Sequence, residues 1–175
     1  MVDTLNTISE VRGGDNIGFD YKFVPVGKLQ VETAEDPQNG KLRVTTVLVE
    51  DEPIKPSNRF WLSLFARYGF NSAFFKYFDH HEVFKRISER ESNDRMRICI
   101  ERGDRGSRLL AVSNPAKPIS DFDDLHCLIS QYDGNKVSYS DGLIESFHKP
   151  RNFGNFEIAG DVFSPNFLLS YPIDG

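Results

Sequence analysis

The chain has 175 residues, with 26 Asp plus Glu against 21 Lys plus Arg, a formal net charge of −5. A hydrophobic content of 39% with so small a net charge excludes a disordered chain. Two cysteines exclude a disulfide-stapled mini-protein, and no apolar run approaches the ~18 residues of a spanning helix. The mild acidity suits a soluble cytoplasmic protein. It argues against a surface wholly devoted to nucleic acid and leaves room for a local basic face.

Residues 1–18 are polar, lack the basic start and apolar stretch of a signal peptide, and read as a flexible lead-in. Residues 19–175 read as a single α+β domain, mainly an antiparallel sheet of hairpins with a cluster of short aromatic-rich helices on one side. Short extended segments are predicted at Tyr21–Val26, with Pro25 favouring an edge, and at Lys28–Thr33. The best strand is Lys41–Glu50, whose alternation puts Leu42, Val44, Thr46 and Leu48 on one face. The turn-rich segment 36–40 makes a hairpin of these last two. Pro53 and Pro56 close the section.

The middle is helical and holds ten of the 22 aromatic residues between positions 60 and 84. Ser57 or Asn58 caps a helix with Phe60, Trp61, Leu64, Phe65 and Tyr68 on one face, and Gly69 ends it. Asn71 or Ser72 starts a short second helix bearing Phe74, Phe75 and Phe78. Asp79 and Glu82 form a capping box for a third, with Val83, Phe84 and Ile87 inward. The aromatic spacing suits core packing, and some rings are candidates for a contact between subunits.

Arg95–Glu101 alternates, with Met96, Ile98 and Ile100 on one side and Arg95, Arg97, Cys99 and Glu101 on the other. A turn over residues 102–107 returns the chain as Arg108–Ser113. A capping box over Ser120–Asp123 then starts a helix with Phe122, Leu125, Leu128 and Ile129. Asp141-Gly142 between Lys136–Ser140 and Leu143–Lys149 is a type I′ hairpin signal, and strands follow at Asn155–Ala159 and Asn166–Tyr171. The chain stops directly after a strand, which reads as truncation of a longer protein.

Chemistry-bearing motifs are few. His80-His81 and His126-Cys127 are adjacent pairs whose side chains diverge on a helix, so they cannot readily share a metal. Asp141, Glu145, Glu157 and Asp161 are the best acidic candidates for a two-metal site, but Asp141 and Asp161 fall in turns. The expectation is a protein without enzymatic activity, cofactor or metal. The strongest binding candidate is basic: eight Lys or Arg face five acids between residues 85 and 108, a local balance of +3. Arg95 and Arg97 share a strand face, and Arg102, Arg105 and Arg108 sit at or near the adjoining turn. Such a hairpin can offer guanidinium forks to phosphates. The same residues also suit a solvated hairpin with surface ion pairs.

The stretches SNRFWLSLFARYGFNSAFFKYFDHHEVFKRI, NDRMRICIERGDRGSRLLAVSNPAKPI, YSDGLIESFHKP and FEIAGDVFSPNFLLSYPIDG resemble a phage/plasmid-associated protein family of unknown function over about Ser57–Gly175. The resemblance implies a mobile-element context, longer chains that continue past the Pro-Ile-Asp-Gly segment, and no established activity. Two readings follow. One is an accessory protein that binds nucleic acid, single-stranded DNA, through Arg95, Arg97, Arg102, Arg105 and Arg108. The other is a self-assembling homo-oligomer that uses the aromatic helices and edge strands as interfaces. Neither involves a membrane.

Overall fold

A computed structural model describes residues 16–119, 133–149 and 154–173. The lead-in up to residue 15 and the helix predicted from Ser120, with His126 and Cys127, lie outside the described residues. The chain divides into two compact units, one of residues 18–118 and one that includes residues 119–173. The class is α+β and mostly sheet.

The first unit is built on a six-stranded sheet in the order β1-β5-β6-β4-β3-β2. Its strands are β1 (Ile17–Pro25), β2 (Gln30–Glu35), β3 (Leu42–Val49), β4 (Glu52–Pro56), β5 (Arg95–Gly103) and β6 (Gly106–Ser113). The hairpins β2–β3, β3–β4 and β5–β6 are antiparallel, whereas β4 and β6 run parallel, so the sheet is mixed. β4 is the strand that its prolines conceal. It pairs with β3 only over Glu52–Ile54 and with β6 only over Lys55 and Pro56. Each ladder is short enough to tolerate a residue without an N–H. The parallel step is bridged by the helical segment and β5, as a parallel connection requires.

β3 corrects the expected face. Leu42 and Val44 keep the predicted phase, but the buried residues farther on are Val47 and Val49, while Thr46 and Leu48 are only half-buried. The cause is a β-bulge. Thr33 pairs with Val44 and Glu32 with Thr46, leaving Thr45 as the extra residue, its hydroxyl donating to the Glu32 carbonyl (3.2 Å). One extra residue reverses the alternation beyond it.

Helix α1 (Asn58–Arg67) starts where Ser57 accepts the Phe60 N–H (3.1 Å) and donates its own hydroxyl to the Leu110 carbonyl (3.1 Å). The cap thus also fastens the helix to β6. It ends in a Schellman motif, with Gly69 at φ 78° and Phe70 N–H on the Phe65 carbonyl (2.9 Å). The predicted second helix is only a 3-10 turn, Phe74–Lys76. Helix α2 (His80–Arg90) is capped by Asp79, whose carboxylate accepts the Glu82 N–H (2.7 Å). Phe60, Leu64, Phe65, Val83, Phe84 and Ile87 pack on one face of the sheet against Met96, Ile98 and Ile100.

β5 departs from its expected character. Met96 to Glu101 are all buried, so the polar set Arg97, Cys99 and Glu101 is withdrawn from water as fully as the apolar set. Arg97 tolerates this because its guanidinium is hydrogen-bonded: to Ser113 Oγ (3.0 Å) and to the carbonyls of Lys117 (2.6 Å) and Pro118 (3.4 Å).

In the second unit β7 (Asp133–Ser140), β8 (Leu143–Lys149) and β11 (Phe167–Pro172) form an antiparallel sheet with β8 central. The β7–β8 turn has Asp141 and Gly142 at φ 47° and 78°, the two positive values that a type I′ turn needs. A separate ribbon pairs β9 (Phe156–Ile158) with β10 (Asp161–Phe163) across Ala159-Gly160. Asp161, expected in a turn, is the first residue of β10.

Candidate functional site

The five arginines of the β5–β6 hairpin do not converge. Arg95 is exposed at the start of β5, and Arg105 is exposed in the turn beyond its end. At ~3.3 Å per residue they stand about 30 Å apart. Arg97 is buried, its guanidinium 5.8 Å from the centre of the Tyr21 ring. Arg102 lies two residues beyond Ile100, hence on the opposite strand face from Arg95 and Arg97. Its fork is held by Glu52 (Nη2 to Oε2, 2.8 Å, with Nη1 on Oε1), by Ser107 Oγ (2.9 Å) and by Asp20 (3.4 Å). The hydrogen bond to Arg102 holds the Glu52 carboxyl below its usual range, and the same bond raises Arg102. Arg108 is half-buried on β6, opposite Glu101 on β5 and beside Lys55 on β4.

A second basic group converges where sequence order gives no hint of it. An open cleft of about 890 Å³ lies between the first half of β3, the end of β4, the start of α1 and the segment leading into α2. Lys41, Arg43 and Lys55 line it as cations, and Trp61, Phe75 and Phe78 line it as rings. Leu42 and Val44, the β3 residues on the near side of the bulge, add apolar wall. The size is toward the upper end of small-ligand sites. Arg43 is anchored by the buried carboxylate of Asp36 (2.6 Å), which also accepts the Gln38 N–H (3.0 Å). Lys41 and Lys55 are exposed and carry no ion pair among the described residues.

His80 also lines the cleft. Its ring sits among Phe75 (4.6 Å), Phe65 (5.2 Å) and Trp61 (5.6 Å). Burial among these rings lowers its pKa below the ordinary 6.5, against the smaller opposing pull of Asp79. The residue read from sequence as part of a capping turn is therefore also a wall of the cleft. The aromatic cluster was visible in the sequence, but its cationic rim comes from residues 41–55, outside that cluster.

The nucleophile candidates are withdrawn. Burial pushes the Cys99 thiol up to about 12, which leaves it protonated and inert. Ser146 Oγ lies 2.6 Å from His148 Nε2 on one face of β8, with the imidazole stacked on Phe167 (5.2 Å). Both side chains are about 1% exposed, so no substrate reaches the hydroxyl. Among the described residues no group of three His, Cys, Asp or Glu is placed to hold a metal ion, and Asp141, Glu145, Glu157 and Asp161 do not gather. No described helix is long and apolar enough to cross a membrane. No family model, no curated protein and no solved structure matches this chain.

Proposed function

We propose that the chain is a non-enzymatic binding module that takes single-stranded nucleic acid in the cleft between β3, β4 and the two helix starts. One juxtaposition carries the reading: Lys41, Arg43 and Lys55 border a trough with the half-buried Phe75 and the exposed Phe78 in its wall. Cations at that rim suit phosphates, and rings in the wall suit unpaired bases, the pairing that sequence-tolerant single-strand sites use. A net charge of −5 repels a polyanion elsewhere, so binding is local to this face. Among the hairpin arginines, Arg108 is the natural extension, since its Cα pairs with that of Lys55. A role as accessory to a phage or plasmid process accords with the resemblance over residues 57–175.

Fluorescence anisotropy with labelled oligothymidylate at several salt concentrations tests the reading. Three phosphate contacts predict a slope of log K against log salt of about −2. The Lys41→Glu/Lys55→Glu pair is expected to lower affinity at least about tenfold, and the Arg95→Glu/Arg105→Glu pair by less than about threefold. Absence of binding at low salt, or loss confined to the hairpin pair, would overturn it.

Self-association is a second reading, favoured by a different surface. In the β9–β10 ribbon Phe156, Ile158, Val162 and Phe163 are all exposed, and a lone two-stranded ribbon is marginal in water. If copies meet there, light scattering gives a multiple of the 20.0 kDa chain mass, and Ile158→Lys returns it to one chain. A single-chain mass at all concentrations removes this reading.

A further inference from the structure

Phe78 belongs to two surfaces at once. It lines the cleft, and it also continues outward into a strip of rings in water: Phe74, Tyr77 and Phe78 are 39%, 81% and 37% exposed. The short segment before α2 sorts its aromatics by direction. Phe75 turns in against Phe65 (4.7 Å) and His80, while the 3-10 turn, closed by Tyr77 N–H on the Phe74 carbonyl (3.0 Å), leaves its neighbours facing out. An Asx turn in which Asn71 accepts the Ala73 N–H (2.9 Å) holds the start of the segment. Two exposed cations flank the strip. Arg86 places its guanidinium 5.6 Å from the centre of the Phe78 ring and is steadied by Glu82 (2.8 Å), and Lys76 lies within the turn itself.

Tyr77 left in water beside Phe74 and Phe78, each more than a third exposed, is unusual for a surface with no partner. Their interleaving with cations matches a ligand that alternates flat apolar faces with negative charge. We infer that a bound single strand leaves the cleft over Phe78 and continues across Tyr77 and Phe74, so that the footprint is longer than the cleft. This inference rests on the cleft being a single-strand site. It adds a length requirement and assigns Tyr77, the most exposed ring of the strip, a stacking role that packing does not give it.

The test compares labelled oligothymidylates of about 4 and about 12 nucleotides, a range spanning known single-strand site sizes. The proteins are the full chain and its Phe74→Ala/Tyr77→Ala variant. The wild-type chain is expected to bind the longer strand about tenfold more tightly. The variant should lose most of that gain and bind the short strand as the wild type does. Phe74 also packs edge-on against Phe70 (5.0 Å), so thermal melting should confirm a folded variant, and Tyr77→Ala alone, at the 81% exposed ring, should show the same length-dependent loss in part. Equal loss on both lengths, or no loss on the longer strand, overturns the inference and leaves the cleft standing. Failure of the wild type to bind either length overturns both. A light-scattering mass of two chains that falls to one in the variant assigns the strip to a second copy and also overturns the inference.

Discussion

The β5–β6 hairpin and the cleft are both rich in basic residues, and Arg97 and Arg102 of the first are held differently from Lys41 and Lys55 of the second. In the hairpin, Arg97 and Arg102 direct their forks at protein acceptors: a hydroxyl and two carbonyls for one, two carboxylates and a hydroxyl for the other. In the cleft, Lys41 and Lys55 stand exposed beside rings. The hairpin has the higher density of positive charge along the sequence, and the cleft has the more available charge in space. A guanidinium that already satisfies its donors must give up those bonds before it can meet a phosphate. An exposed ammonium loses only water. Charge counted along a chain therefore overstates the hairpin and misses the cleft.

Arg97 tests this difference most severely. Truncation by Arg97→Ala removes three hydrogen bonds from a nearly buried guanidinium and leaves a void beside Cys99 and Ala111 on β5 and β6. Charge-assisted bonds of this kind contribute roughly 1.5–3 kcal/mol, so a loss of about 3 kcal/mol is expected in urea unfolding. Binding of oligothymidylate by the molecules that remain folded should change by less than about twofold, since Arg97 has no route to a ligand. The opposite pattern, with stability kept and affinity lost, would make the hairpin the binding element.

The same contrast explains what could be read from the sequence. Both helix caps were legible because Ser57 and Asp79 act on N–H groups three residues away, and the Asp141-Gly142 turn was legible because both of its residues must take positive φ. Three things were not legible, and each depends on distant chain. The bulge at Thr45 is defined by pairing with β2, and it decides that Val47 and Val49 enter the core while Leu42 and Val44 reach the cleft. β4 is a strand only because β3 and β6 flank it. The polar face of β5 alternates as a solvated face would, yet Arg97, Cys99 and Glu101 are buried. The cleft follows the same rule. Its rim comes from residues 41–55 and its rings from residues 61–78, and no local pattern links them.

On the cleft side a smaller effect follows from His80. The folded chain holds this imidazole among Trp61, Phe65 and Phe75, where burial favours the neutral form and sets its pKa below 6.5. The unfolded chain therefore binds more protons than the folded one below pH 6.5. The stability that His80 contributes is complete above that pH and declines as pH falls toward the lower folded-state value. His80→Phe keeps a ring in the aromatic box and removes the proton. Its urea midpoint should fall less than that of the wild type between pH 6.5 and 5, while the two proteins respond alike between pH 7 and 8. Equal acid sensitivity in both would mean that His80 titrates as it does in the unfolded chain and that the box exerts no hold on it. Asp79 sets the limit of the effect: its charge opposes burial, so replacing it with Asn, which still caps α2, should steepen the acid loss.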